Sequence, residues 1–135
     1  MNEYQIFGNI MTSYIMLIED NKDNADMIAH ILTSANYVVR HFTRGLDAAQ
    51  EARRDKPALI LMDFNLPDID GRVLTRLLKK QLGGSQAPPI VACTARVGRL
   101  EARLAEQSGC DAFLGKPFSP EDLLTLTERC LSWTR

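Results

Sequence analysis

Cysteine is scarce in this chain. Cys93, Cys110 and Cys130 are the whole set, an odd number whose spacings fit no zinc pattern and imply no disulfide framework. That excludes a small secreted scaffold held by cross-links and points to reduced thiols in a cytosol. Long apolar runs are lacking too, none approaching the ~20 residues that a membrane helix needs. Residues 1–13 have neither the basic start nor the apolar core of an export signal, and Met11 would also serve as a start. They are read as an amino-terminal extension of unknown role. There is no surplus of charge of one sign: 16 basic against 17 acidic residues leave a net charge of −1. Such balance supplies no general attraction to nucleic acid or to a membrane surface. Repeats, low-complexity tracts and linkers are absent, and the expected location is the cytoplasm.

What is present is the composition of an ordinary globular domain, 45% hydrophobic and 24% charged over 135 residues, a length suited to one compact unit. Short apolar runs alternate with longer amphipathic segments, the pattern of a parallel α/β sheet. The first run, Tyr14 to Ile18, is continuous and ends abruptly in Glu19-Asp20-Asn21, so it reads as a strand buried on both faces. Met27, Ile28, Ile31 and Leu32 then form a helical stripe. Tyr37 to Phe42 is a more polar strand, expected nearer an edge. Gly45 opens a helix whose Leu46, Ala49 and Ala52 share a face, and Lys56-Pro57 stops it. A third strand, Ala58 to Met62, closes on Asp63. The turn-rich loop 64–71 leads to a helix striped by Val73, Leu74, Leu77 and Leu78. Ile90 to Cys93 is a strand ending at Thr94, and a helix near Val97 to Ser108 is capped by Gly109. Ala112 to Leu114 is a short fifth strand before Gly115-Lys116-Pro117. Ser119-Pro120-Glu121-Asp122 starts the last helix with a capping serine, a first-turn proline and acids at the positive dipole end. Five βα units with right-handed crossovers put helices on both faces of a five-stranded sheet.

The polar residues fall at telling places. Glu19-Asp20 ends the first strand, Asp63 the third and Thr94 the fourth, while Lys116 follows the fifth. Carboxyl ends of parallel strands share one sheet edge, where open α/β sheets bind ligands. Topology alone thus gathers three carboxylates, a hydroxyl and an ammonium. Clustered carboxylates repel unless a proton or cation intervenes, and hard oxygen ligands suit Mg²⁺ with one or two carboxylates and a phosphate oxygen. A lysine supplies a mobile point charge for a carboxylate or phosphoryl oxygen, and a carboxylate can itself accept a phosphoryl group.

Four segments in this order closely resemble the receiver domain of bacterial two-component response regulators: Ile18-Glu19-Asp20-Asn21, Leu61 through Gly71, Cys93-Thr94-Ala95 and Phe113 through Phe118. The resemblance spans about Tyr14 to Leu131, and 14–135 is taken as the receiver domain, with no output domain attached. It implies a flavodoxin-like doubly wound (βα)5 fold with strand order 2-1-3-4-5. It implies Asp63 as phosphoacceptor, Asp20 as a direct Mg²⁺ ligand, Glu19 at the metal's outer shell and the Asn65 backbone carbonyl as a further ligand. Thr94 and Lys116 would contact the phosphoryl group, and the Lys116–Pro117 bond would be cis. Phe113 occupies an aromatic switch position, turning inward when Thr94 moves toward the phosphate. Signalling would pass through the face built from the fourth and fifth helices and the fifth strand. Asn65 and Arg96 lie where the family tunes phosphate lifetime. The implied partners are a sensor histidine kinase or a histidine phosphotransfer protein and a downstream protein, with the chain a monomer or weak homodimer. Such a switch catalyses only its own phosphorylation and dephosphorylation, so it is not called an enzyme.

Each residue also has a plainer reading. Asn21 or Asp20 can be helix N-caps, Thr94 a hydroxyl satisfied by backbone, Lys116 a solvated side chain, and Phe113 ordinary core. Arg96, Arg99 and Arg103 make a basic helical stripe, either solvated or facing an acidic partner. His30 and His41 are expected to be structural or exposed, away from the strand edge. Among other functions, a phosphatase using Asp63 lacks its second acid at Asn65 and room for a lid. A degenerate docking module would have lost the acceptor or the lysine. A flavin module would need donors where 19–23 is acidic.

Overall fold

The computed structural model describes residues 13–95 and 98–133. Five strands alternate with five helices: β1 (Ile15–Ile18), α1 (Lys22–Ser34), β2 (Val39–Phe42), α2 (Gly45–Arg54), β3 (Leu59–Asp63), α3 (Gly71–Gln81), β4 (Ile90–Thr94), α4 (Arg99–Gln107), β5 (Ala112–Gly115) and α5 (Pro120–Trp133). All neighbouring strands pair in parallel, in the order β2-β1-β3-β4-β5. The five βα units follow the sequence pattern, and the doubly wound order is the one the family resemblance implied.

Why these segments are strands follows from where they lie. Every residue of β1, β3 and β4 is buried, so these three carry continuous apolar runs, as central parallel strands must. The flanking β2 and β5 are only partly covered, and β2 accordingly tolerates Arg40 and His41. Side chains alternate between two cores. Met16, Ile18, Ile60, Met62 and Ile90 pack with Ala48, Ala52, Leu74 and Leu78 of α2 and α3. Ile15, Leu17, Leu59, Leu61, Val91 and Cys93 pack with Ile28, Leu32, Leu123 and Cys130 of α1 and α5. Each fully buried aliphatic side chain contributes about 1.5–3 kcal/mol.

The helix stripes differ from their sequence reading. Met27, Leu46, Val73 and Leu77 are 39–49% exposed, whereas Ala25, Ala48 and Thr75 are buried. A helix lying on a sheet touches it along a narrow strip, and small side chains there permit close approach. The larger apolar residues at the rim of each stripe remain in solvent. Thr75 is tolerated because its hydroxyl donates to the Gly71 carbonyl at 2.8 Å.

The helix ends bear out several local expectations. Asn21 caps α1, its side chain accepting from the Asn24 N–H at 2.9 Å. Ser119 and Asp122 form a reciprocal capping box on α5: Ser119 Oγ accepts from the Asp122 N–H at 3.0 Å, and Asp122 Oδ2 from the Ser119 N–H at 3.3 Å. Gly109 has φ +106° just past α4, the left-handed geometry expected there. The described part of α4 begins at Arg99, and Arg96 and Val97 lie outside the described residues. Residues 1–12 of the expected extension also lie outside. No helix of the described residues is long and apolar enough to cross a membrane.

Candidate functional site

Register brings the polar residues to one level. Ile18 of β1 pairs with Met62 of β3, so Glu19 and Asp63 are each one step beyond a matched pair. Asp63 pairs with Cys93, and Thr94 with Gly115, which sets Lys116 one step beyond Thr94. The Lys116 N–H donates to the Thr94 carbonyl at 2.8 Å, continuing the ladder past the last strand residue. The Lys116–Pro117 peptide is cis.

The side chains then meet. One carboxylate oxygen from each of Glu19, Asp20 and Asp63 lies within 4.8 Å of the others. Lys116 Nζ donates to Glu19 Oε1 at 2.7 Å and to Asp63 Oδ2 at 3.3 Å. The other oxygens face backbone: Glu19 Oε2 accepts from the Asn21 N–H at 3.2 Å, and Asp63 Oδ1 from the Asn65 N–H at 3.0 Å. Glu19 is 1% exposed, Thr94 3% and Asp63 8%, while Asp20 faces solvent.

Burial raises the Glu19 carboxyl above the ordinary glutamate range, against the opposing pull of Lys116 and the Asn21 N–H. For Lys116, burial works against the charged form, but the hydrogen bond to Glu19 and the charges of Asp63 and Glu19 prevail. The ammonium is held above its usual range. The site therefore contains one cation among three carboxylates, a local excess of negative charge that a bound divalent ion would neutralise. The donor set is all oxygen, half-open to solvent on the Asp20 side, and fits a hard ion that keeps its waters.

The remaining candidates are placed less centrally. Asn65 follows β3 in a loop closed by an antiparallel bridge to Asp70. Phe113, opposite Ala92 in β5, lines a cavity of about 290 Å³ with Ala102, Ala105 and Cys110. Thr94 instead borders a separate cavity of about 330 Å³ with Phe64, Asn65, Leu100 and Leu104. Arg99 and Arg103 are exposed on α4 and His30 on α1.

His41 is exposed, as expected, but its expected place away from the strand edge needs correction. It is the penultimate residue of β2, and its Nε2 lies 2.7 Å from the Glu19 carbonyl oxygen, so it stands at the strand edge. Its place at the end of the strand that flanks β1 was the available signal. Asp68 also escaped the sequence reading, because its partners are 23 and 22 residues away on α2.

Comparison with known proteins defines the class. The response regulator receiver domain family matches residues 15–128, and the chain belongs to that family, whose members are phosphoacceptor switches of two-component systems. The transcriptional regulatory protein CreB of Escherichia coli (strain K12) is 34% identical over 109 residues, covering 81% of this chain and 46% of CreB. The chain thus spans about half the length of that relative. The polar-differentiation response regulator DivK of Brucella ovis is 33% identical over 81% of this chain and 88% of DivK. Among solved structures, the receiver domain of the sensor histidine kinase PA1611 from Pseudomonas aeruginosa PAO1 has a magnesium ion coordinated in its active-site cleft. It superposes with a TM-score of 0.82 at 33% identity, covering 90% of this chain and 99% of that one. The non-phosphorylated HemR receiver domain from Leptospira biflexa gives 0.80 at 27% identity, with coverage of 92% and 98%.

Proposed function

We propose that this chain takes a phosphoryl group on Asp63 from a histidine kinase or a histidine phosphotransfer protein, with Mg²⁺ beside it, in the cytoplasm. The observation that carries the reading is Lys116 Nζ held between Glu19 Oε1 at 2.7 Å and Asp63 Oδ2 at 3.3 Å, next to a three-carboxylate cluster. The magnesium ion recorded in the PA1611 receiver supports the choice of cation. When bound, Mg²⁺ supplies charge neutralisation for the phosphoryl oxygens.

The chain's own residues do the rest. An Asp63 oxygen forms the new P–O bond as the P–N bond of a phosphohistidine breaks, its electron pair leaving with the imidazole nitrogen. Asn65 N–H holds the other oxygen at 3.0 Å, orienting the carboxylate. Lys116 exchanges a carboxylate partner for a phosphoryl oxygen, and Thr94 offers its hydroxyl to another. Asp20, exposed to solvent, would be the direct metal ligand together with Asp63 and the Asn65 carbonyl. Glu19, already engaged by Lys116 and Asn21, would act on the ion through water. Thr94 and Phe113 then relay the change to the face of α4, β5 and α5, where a downstream protein binds. The chain turns over no separate substrate.

Incubation with acetyl phosphate, with and without Mg²⁺, followed by intact mass measurement tests this. A labile single-phosphate adduct requiring both Mg²⁺ and Asp63, and absent from Asp63→Asn, is expected. A folded protein that forms no adduct refutes the phosphoacceptor reading, and donor consumed without a trapped adduct supports a phosphatase instead.

A further inference from the structure

The loop after the phosphoacceptor strand is held at three points. At its base, Asn65 and Asp70 form an antiparallel bridge and the Gly71 N–H donates to the Phe64 carbonyl at 3.1 Å. Asp70 caps α3 from the Arg72 N–H at 2.8 Å. The third point is remote. Asp68 reaches from the loop to α2, where Oδ1 accepts from the Gly45 N–H at 2.9 Å and Oδ2 from the Leu46 N–H at 2.8 Å.

That bidentate contact satisfies the first turn of a helix with no cap of its own. Arg44, at the N-cap position with extended backbone (φ −123°, ψ 136°), makes no side-chain capping bond. Loop and helix are also in close van der Waals contact, since a Cβ on Gly45 would lie 2.6 Å from Ile69 Cγ2 and 3.2 Å from Leu66 Cδ1. Burial pushes the Asp68 carboxyl up, but the Leu46 and Gly45 N–H groups, with its own N–H and the Arg44 charge, together outweigh it and hold the group below the ordinary aspartate range. A carboxylate at the positive end of a helix, bonded through both oxygens, is a strong attachment.

We propose that Asp68 is a positioning residue for the phosphorylation site. By capping α2 across the chain it fixes the loop that carries Asn65, and so sets the affinity of the carboxylate cluster for its cation. The proposal rests on the reading of Glu19, Asp20 and Asp63 as a Mg²⁺ site. The coupling is mechanical: the Asn65 N–H orients Asp63, and Asn65 belongs to a small closed loop whose tip Asp68 secures. The Asn65 N–H is the direct outer partner of Asp63; such partners are typically worth ~10–100-fold in metal affinity, and Asp68, one link further out, is expected to act at the low end of that range.

The experiment separates tethering from plain stability. Mg²⁺ binding to the full chain is measured by isothermal titration for wild type, Asp68→Ala, Asp68→Asn, Ser119→Ala and the double variant Arg44→Ser with Asp68→Ala. Thermal unfolding is followed in parallel. Asp68→Ala is expected to weaken Mg²⁺ binding about tenfold. Asp68→Asn has one oxygen for two N–H donors and is expected to fall between it and wild type. Ser119→Ala removes the α5 cap, lowering stability without changing Mg²⁺ affinity. In the double variant a serine caps α2 locally, so stability recovers while Mg²⁺ binding stays weak. If Mg²⁺ affinity recovers along with stability, or is unchanged in Asp68→Ala, the positioning role is overturned. A wild-type chain that takes no Mg²⁺ fails the functional reading itself, a result distinct from wild type and variant binding equally well.

Discussion

Replacing Lys116 with methionine keeps the side chain's apolar stem and removes its charge. The lysine and glutamate side chains at that contact are 16% and 2% exposed, with Nζ 2.7 Å from the carboxylate. Surface ion pairs are worth ~0–1 kcal/mol, but breaking a buried pair by removing one partner costs about 3–5 kcal/mol, because the remaining charge is left desolvated. Glu19 would keep only the Asn21 N–H and still face Asp63. The expected loss at neutral pH is therefore about 3–5 kcal/mol in the absence of Mg²⁺. The pH dependence has a definite sign. Burial already holds the Glu19 carboxyl above its unfolded value, and losing Lys116 raises it further. A raised folded pKa favours the protonated native state, so the deficit is largest at neutral pH. It shrinks as the pH falls from the variant's folded value to that of the wild type, since the unfolded value is common to both. Mg²⁺ should restore part of the loss by mass action on the native state. Urea denaturation followed by far-UV circular dichroism measures this. Trp133 lies beside Pro57 and Pro89 at the amino end of the sheet and is a poor reporter of the site. A loss below about 1 kcal/mol, or one independent of pH, would refute the view that Lys116 compensates a buried carboxylate.

Other expectations follow from single contacts. Gly71→Ala would place a Cβ 2.5 Å from Phe64 Cα and Cδ1, so the loop must move; a cost of about 1–3 kcal/mol or more and weaker acetyl phosphate labelling are expected. By contrast, Gly84→Ala has open space at φ +62° and should cost only the left-handed backbone strain, about 1–2 kcal/mol, in thermal unfolding with labelling unchanged. The Cys93 thiol is pushed up to about 12 by burial, and that of Cys130 to about 11. Both should resist iodoacetamide at mildly alkaline pH until urea unfolds the chain, as counted by intact mass. His41→Phe removes the contact to the Glu19 carbonyl and should cost about 1 kcal/mol, read by the same denaturation.

Much of this protein is determined by its linear pattern. Three continuous apolar runs can be satisfied only as central parallel strands, and the polar residues at their carboxyl ends must then share an edge. Glu19, Asp63, Thr94 and Lys116 could thus be assembled on paper, because strand parity and right-handed crossovers leave few other arrangements. Caps were equally legible, since Ser119 and Asn21 act within a few residues of themselves. Tertiary structure decided what depends on distance in the chain. Which flank of each helical stripe faces the sheet was one such matter: Ala25 is buried and Met27 is not, because interhelix and sheet spacing, not periodicity, sets how wide a strip is covered. His41 against Glu19 and Asp68 against α2 were others, contacts between residues 22 and 23 apart that no local rule encodes. Periodicity reports which way a side chain points; only packing decides what it meets there.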